Sequence, residues 1–104
     1  MKAVILAAGK GSRINSISNN IPKSLLPFHE TTILGHSLNL LSKNGVTEIV
    51  VVTGYKNWMI EQYVKDNWPG KVNFAFNSSY ETTNVLYSFS LSLKFINNED
   101  ILFL

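Results

Sequence analysis

The chain has 104 residues, of which 45% are hydrophobic and 15% are charged, and its formal net charge is +2. This length bounds it at one domain with a single core, and the composition is that of a folded protein. So small a net charge does not supply the basic stripe that nucleic-acid binding requires. The lack of cysteine excludes disulfides and thiolate metal sites. The apolar run at the N-terminus, about five residues long, is too short for a signal peptide or a membrane span. We expect a cytoplasmic protein without a nucleic-acid or membrane partner.

A buried strand followed by a glycine-containing loop opens the chain. Residues Lys2 to Leu6 are apolar on both faces, which is typical of a buried parallel strand. Ala7 and Ala8 then lead into a loop with glycines at Gly9 and Gly11. Small residues let main-chain N–H groups approach an anion closely, and a concave row of such groups forms a phosphate site.

Two cations follow this loop. Arg13 ends it, and Lys23 comes after Pro22, whose ring fixes the backbone and would aim the ammonium group. A guanidinium and an ammonium supply charge that N–H dipoles alone do not provide. The segment is therefore predicted to bind a triphosphate.

Two known phosphate-binding motifs do not match this loop. A dinucleotide-binding fingerprint requires a third glycine where Ile14 stands, and an acidic residue at the end of the second strand, where the chain has Thr53-Gly54. A P-loop requires four residues between its glycines, and Gly9 and Gly11 are too close together. The loop is of a third kind, and an NAD-dependent redox domain is disfavoured.

Three further strands are predicted, at residues 48–53, 72–76 and 101–104. The strand at 72–76 is the least hydrophobic of them and is expected to lie nearer an edge of the sheet. A short extended piece is predicted at 24–28, where Pro27 limits it to an edge or an irregular stretch.

Three helices are predicted between the strands. Thr31 or Thr32 caps the first, Asn44-Gly45 ends it, and the second covers 56–66 with Trp58 and Trp68 packing at its ends. Thr82 or Thr83 caps the third. Their inward residues are predicted from helical spacing to be Ile33, Leu34, Leu38 and Leu41, then Met59, Ile60, Tyr63 and Val64, then Val85, Leu86, Phe89, Leu93 and Ile96.

This alternation of strands and helices predicts a parallel α/β sheet with right-handed crossovers. The usual doubly wound order is 3-2-1-4, in which ligands bind outside the carboxyl ends of strands one and four. Gly9, Gly11 and Arg13 follow strand one and therefore fall at that place. The sequence ends at Leu104 within an apolar strand, so we expect the chain to be the front part of a larger protein.

The motifs resemble the signature of the sugar-phosphate nucleotidylyltransferase family. Leu6 to Arg13 followed by Pro22 to Leu26 carries the resemblance, and Val51 to Tyr55 continues it. The run from Tyr80 to Ser88 is most similar to the phosphocholine cytidylyltransferase branch of bacterial surface-sugar pathways. The resemblance implies a Rossmann-like three-layer α/β sandwich with a mainly parallel sheet, of which residues 1–104 form the N-terminal nucleotide-binding part.

The resemblance also implies a reaction and a set of site residues. A nucleoside monophosphate, CMP in this branch, passes from the triphosphate to a small phosphomonoester such as phosphocholine, and pyrophosphate leaves. The family pattern assigns the catalytic charges to Arg13 and Lys23. It assigns the base and ribose to the backbone of Leu6, Ala7, Ala8 and Gly9, the β and γ phosphates to Gly11, Ser12 and Arg13, the α phosphate and the acceptor to Lys23, and further substrate contacts to Asn84 and Ser88.

Other site residues follow from chemistry. Tyr80 and Tyr87 are candidates for a cage around a quaternary ammonium group through cation–π contact. An acceptor phosphate is already an anion at pH 7, so no general base is required, and His29 and His36 are weak catalytic candidates.

Magnesium is the implied cofactor, and the family holds it with carboxylates of which the first follows the fourth strand. We therefore expect its ligands beyond residue 104 and no metal ligand within the chain, since Asp100 begins that strand at the opposite edge of the sheet. The chain alone is expected to be catalytically incomplete.

Two alternative functions stay open. The acceptor could be a hexose 1-phosphate, or the chain could belong to a non-catalytic nucleotide-binding or regulatory module.

Overall fold

The computed structural model describes residues 2–8, 21–79, 90–92 and 101–103. The long strands are β1 (Lys2–Ala7), β4 (Glu48–Thr53) and β5 (Lys71–Phe76), and the short ones are β2 (Pro27–Phe28), β3 (Thr31–Thr32) and β6 (Ile101–Phe103). The helices are α1 (Ile33–Lys43) and α2 (Asn57–Asn67), with a 3-10 helix at Lys23–Leu25 and helical residues at 90–92.

The main sheet has the strand order β5-β4-β1-β6, and all its described pairs are parallel. In sequence order this is 3-2-1-4, as predicted. The edge position of β5 is also confirmed. Because β1 lies between β4 and β6, the chain that leaves β1 emerges at the point where the direction of winding reverses.

The larger core cluster lies between the sheet and the two helices. Alternate strand residues such as Ile5 and Val51 face this side, because successive side chains of a strand point to opposite faces. They pack against Leu38 and Leu41 of α1 and against Ile60 of α2. A smaller cluster on the other face comprises Ala8, Val52 and Ala75, with Leu6 and Leu91 packed against it. Helical residues therefore pack on both faces, as a three-layer sandwich requires.

Helix α1 begins and ends as the sequence predicts. The Thr32 hydroxyl accepts a hydrogen bond from the Gly35 amide at 2.9 Å, which satisfies one free N–H of the first turn. Gly45 follows the last turn with φ +82°, a conformation that favours glycine. The inward stripe is confirmed for the three leucines, but Ile33 is 37% exposed, so its predicted inward position is wrong. It is the first helical residue, where the chain is only entering the packed face.

The two tryptophans that flank α2 behave differently. Trp68 is buried, and its Nε1–H donates to the Lys71 carbonyl oxygen at 3.0 Å, so the predicted packing is confirmed there. Trp58 is 63% exposed, and the prediction that it packs is wrong. Its neighbours in the helix explain this, since Ile60 and Val64 take the buried face and Trp58 points away from it. Of the other predicted inward residues of α2, Met59 and Tyr63 are half-buried.

The segment from 24 to 28 is not a single extended piece. Its first residues belong to the 3-10 helix, and Pro27–Phe28 pairs antiparallel with Thr31–Thr32 in a separate two-stranded sheet. The Ile33 amide donates to the Leu26 carbonyl at 3.1 Å, which ties this segment to the start of α1. The short reverse turn through His29, with φ +56°, makes the hairpin possible.

The predicted third helix lies mostly outside the described residues, and 90–92 is the part of it that the structure describes as helical. No helix in the described ranges combines the length and the hydropathy that crossing a bilayer requires.

Candidate functional site

The carboxyl ends of three strands are joined by main-chain hydrogen bonds. The Tyr55 amide, just after β4, donates to the Ala8 carbonyl oxygen at 3.1 Å. The Asn77 amide, just after β5, donates to the Thr53 carbonyl oxygen at 2.7 Å. These bonds fix the position of the backbone at this edge, which is where parallel α/β sheets bind ligands.

Of the predicted nucleotide-binding residues, the structure describes the first three. Leu6 is half-buried and belongs to the smaller core cluster, while Ala7 and Ala8 are buried at the end of β1. Because the side chains of Ala7 and Ala8 are small and carry no polar atom, the groups that could bind a ligand at this position are those of the main chain. Outside the described residues lie the predicted site residues Gly9, Gly11, Ser12, Arg13, Tyr80, Asn84, Tyr87 and Ser88.

Lys23 is exposed at the first position of the 3-10 helix. Pro22 before it is fully buried with φ −60°, so the backbone that carries the ammonium group is anchored as the sequence predicts. No carboxylate within the described ranges pairs with Lys23. The segment is tied to the first turn of α1, and the last turn of α1 leads into the amino end of β4, so Lys23 lies toward the carboxyl edge.

The start of α2 adds positive potential to the same edge. The Asn57 amide donates to the Gly54 carbonyl oxygen at 3.1 Å, which places the first turn directly after β4. No acidic residue occupies this turn, and a helix N-terminus carries a partial positive charge. The Lys56 ammonium lies 5.6 Å from the centroid of the Tyr55 ring. The helix N-terminus and Lys56 thus supply positive potential at this edge, while the Glu61 carboxylate, which accepts from the Asn57 Nδ2 group at 2.9 Å, lies one turn further along the helix.

The two histidines lie together on the hairpin side of α1. Both rings contact Phe28, with centroid distances of 4.4 Å for His29 and 4.9 Å for His36. Among the described residues, no three histidine, aspartate or glutamate side chains are grouped as a metal would require. The described geometry offers positioning and charge rather than a general base.

Two buried polar residues at this edge were not singled out from the sequence. Thr53 closes β4 and Asn77 follows β5, and both side chains are buried. The Asn77 Oδ1 accepts from the Ser79 amide at 2.9 Å, which shapes the turn after β5. A polar residue at the end of an otherwise apolar strand is the signal that identifies such positions.

A family model described as nucleotidyl transferase matches residues 2–104. The chain belongs to the nucleotidyl transferase family. This is an enzyme family, and the membership predicted from the loop and lysine motifs is confirmed.

Two relatives support the same assignment. The nucleotidyltransferase chain is 40% identical over 98 residues to the choline-phosphate cytidylyltransferase of Haemophilus influenzae, which covers 94% of this chain and 41% of that protein. It is 31% identical over 99 residues to the D-glycero-α-D-manno-heptose 1-phosphate guanylyltransferase of Campylobacter jejuni, covering 95% of this chain and 44% of that protein.

The structure is similar to that of CTP:phosphocholine cytidylyltransferase from Streptococcus pneumoniae, with a TM-score of 0.79 and 28% identity. The match covers 96% of this chain and 42% of that one. The predicted Rossmann-like fold class is confirmed. The chain spans less than half the length of these relatives.

Proposed function

We propose that these residues are the nucleotide-binding part of a nucleotidyltransferase that transfers CMP from CTP to a small phosphomonoester, with phosphocholine as the favoured acceptor. The observation that carries the proposal is the carboxyl edge, where Ala7 ends β1 at the switch of winding direction and where Lys23, which has no carboxylate partner among the described residues, lies toward the same end. The similarity to choline-phosphate cytidylyltransferases favours this base and this acceptor. The product would serve cell-surface polysaccharide synthesis in the cytoplasm.

The proposed reaction is a displacement at phosphorus. An oxygen of the acceptor phosphate attacks the α-phosphorus of CTP, the bond between that phosphorus and the bridging oxygen to the β-phosphate breaks, and pyrophosphate leaves with that electron pair. The attacking oxygen is anionic at pH 7, so no side chain needs to remove a proton. The protein must hold two polyanions in line and offset their repulsion.

The proposed roles follow this requirement. The main chain from Leu6 to Gly9 holds the base and ribose, and Gly11, Ser12 and Arg13 bind the β and γ phosphates. Lys23 contacts the α phosphate and the incoming oxygen, where negative charge is greatest in the transition state. An exposed ammonium without a carboxylate partner in the described ranges is suited to this task, because no ion pair has to break first.

The acceptor side of the site is assigned to the segment after β5. We propose that Asn84 and Ser88 contact substrate and that Tyr80 and Tyr87 face the quaternary ammonium of choline. The turn at Asn77 and Ser79, which is fixed to the Thr53 carbonyl, sets where this segment starts.

Magnesium is expected by resemblance, and the described residues do not fit it. The described carboxylates are Glu30, Glu48, Glu61 and Asp66, and none of them belongs to a group of three metal-binding side chains. Ile101, the residue after Asp100, pairs with Lys2 at the amino end of β1, so that end of β6 lies away from the site.

The similarity to a heptose 1-phosphate guanylyltransferase favours a second candidate, a sugar 1-phosphate acceptor with another base. Gly11, Ser12, Arg13 and Lys23 would serve it equally, because these residues are assigned to phosphate groups rather than to the base or the acceptor body. A nucleotide-binding module without catalysis is the third reading.

A substrate panel tests the proposal. The protein encoded by the complete reading frame is incubated with each NTP and with phosphocholine, glucose 1-phosphate or a heptose 1-phosphate, and pyrophosphate is measured. Release with CTP and phosphocholine alone supports the proposal, and release with a sugar 1-phosphate supports the second candidate. Saturable NTP binding by calorimetry without pyrophosphate indicates a module. The absence of both binding and turnover would contradict all three.

A further inference from the structure

The hydroxyl of Thr53 is an unusual feature of the carboxyl edge. Thr53 is the last residue of β4 and is 0% exposed. Its Oγ1 is closed off from solvent and has no hydrogen-bond partner within the part of the chain that the structure describes. Burying a hydroxyl without a partner costs stability, because the group gives up its hydrogen bonds to water.

The neighbouring strands explain why no side chain satisfies this hydroxyl. Thr53 lies between Ala7 of β1 and Phe76 of β5 in the parallel register. Neither residue offers a side-chain polar atom. By alternation along β4, Thr53 shares its face with Ile49 and Val51, which belong to the larger apolar core. The hydroxyl therefore lies on the sheet face that carries the larger apolar core, and its two register neighbours have no polar side-chain atom.

The main-chain carbonyl of the same residue is engaged at the carboxyl edge. The Thr53 carbonyl accepts from Asn77, and two residues later the Tyr55 amide donates to Ala8. Thr53 is thus fixed by the bonds that join the three strand ends, and Ala8 is the residue that precedes the glycine loop. The Thr53 hydroxyl therefore lies in register with Ala7, one of the main-chain positions predicted to hold the base and ribose.

We propose that Thr53 is a positioning residue for the nucleotide: its hydroxyl gains a hydrogen bond from the main chain at the carboxyl end of β1 when a nucleoside triphosphate binds there. The inference rests on the proposed function. The ligand-free state leaves the hydroxyl unsatisfied, and the nucleotide-bound state satisfies it. Part of the binding free energy therefore comes from a group that the nucleotide does not touch, since the Oγ1 is closed to it.

Thr53→Val tests this, because valine has nearly the same shape and lacks the hydroxyl. Thr53→Ser is the matched control, since it keeps the hydroxyl. In the protein encoded by the complete reading frame, Thr53→Val should raise the calorimetric Kd for CTP about tenfold, which corresponds to about 1.4 kcal/mol. The Tm of the ligand-free protein should be equal or higher, because the variant removes an unsatisfied polar group. Thr53→Ser should bind CTP like the wild type.

A purely structural role for the hydroxyl gives a different pattern. If Thr53→Val lowers the ligand-free Tm or fails to fold, the hydroxyl is already bonded without nucleotide and the inference is overturned. A wild-type Kd in Thr53→Val overturns it as well. In kinetics, the inference requires a raised KM for CTP with an unchanged KM for the acceptor. If the wild type binds no NTP, the proposed function fails first, which distinguishes that result from failure of the inference alone.

Discussion

The two ends of the main sheet differ in how their polar groups are satisfied. At the amino end, the ammonium of the buried Lys2 lies 3.5 Å from the carboxylate of Glu48, and the indole N–H of Trp68 is bonded to Lys71. At the carboxyl end, Thr53 Oγ1 has no partner, and Lys23 has no carboxylate partner, within the described ranges. The same helix α2 connects an exposed Trp58 at one end to a buried Trp68 at the other.

We infer from this difference that the amino end of the sheet contributes mainly to stability and the carboxyl end mainly to binding. Polar groups that pair within the fold have nothing left to offer a ligand, and they fix the strands in register. Polar groups without a partner cost stability, and they can gain a hydrogen bond when a ligand binds, either directly or through a neighbouring main chain; this is the arrangement expected where substrates bind. Substitutions at the amino end should therefore change the free energy of unfolding, and those at the carboxyl end should change binding and turnover.

The largest expected effect on stability is that of Trp68→Ala. Truncating this buried indole removes core contacts and one hydrogen bond, and should lower the free energy of unfolding by about 3–5 kcal/mol. Trp58→Ala is the control at the other end of α2 and should change it by less than about 0.5 kcal/mol, since the ring is exposed. Urea denaturation measures both. Equal decreases in the free energy of unfolding for the two variants would mean that Trp58 and Trp68 do not differ in packing.

Lys23→Ala should have the largest effect on turnover. Losing a charge aimed at the transferred phosphate should lower kcat on the order of 10²–10³-fold, and Arg13→Ala should act similarly. Lys43→Ala is a suitable control, because Lys43 is also exposed but lies in the last turn of α1, toward the amino end. Steady-state pyrophosphate release measures all three. Near-normal turnover by the Lys23 variant would show that its assigned role is wrong.

Gly70→Ala should disturb the amino end through backbone contact. A Cβ at Gly70 would clash with the carbonyl of Thr47, which accepts the Lys71 amide at 2.9 Å and joins β5 to the chain before β4. Overpacking of this kind costs about 1–3 kcal/mol. Gly45→Ala meets no atom within 4 Å but has φ +82°, so a cost of about 1 kcal/mol from backbone strain is expected. Thermal unfolding measures the stability of both variants. A smaller decrease for Gly70→Ala than for Gly45→Ala would contradict the predicted clash with Thr47.

Glu48→Gln should have the smallest effect. It leaves the Lys2 ammonium without its carboxylate, but the Glu48 side chain is 32% exposed, so water compensates part of the loss. We expect the free energy of unfolding to fall by about 1 kcal/mol and the CTP affinity to stay unchanged. Calorimetry on the same sample measures both quantities. A weakened CTP affinity with unchanged stability would reverse the assignment of the two ends.

The sheet was predictable because its signals are local. An apolar run such as Ile49 to Val52 predicts a buried strand, and the regular alternation with helices then predicts the order of strands. The cap at Thr32 and the turn at Gly45 also follow from single residue types with specific backbone preferences.

The features that were missed depend on neighbours distant in sequence. The burial of Lys2 follows from its register with Glu48, and the unsatisfied Thr53 follows from its apolar neighbours in two other strands. The exposure of Ile33 and Trp58 depends on where each helix begins relative to the packed face, which periodicity does not specify to the residue. Of the site itself, the sequence predicted that Pro22 fixes the backbone at Lys23 and that small residues stand at the end of β1, but not the hydrogen bonds that join the strand ends.

The central position of β1 has a consequence for how the protein is made. β1 is synthesised before both of its neighbours in the sheet, and the second of them, β6, pairs with it through the register of Lys2 with Ile101. Contacts so far apart in sequence form slowly. β1 therefore has one edge without a partner strand until β6 has been synthesised, and chaperones that shield such apolar strands should raise the yield of folded protein in cells.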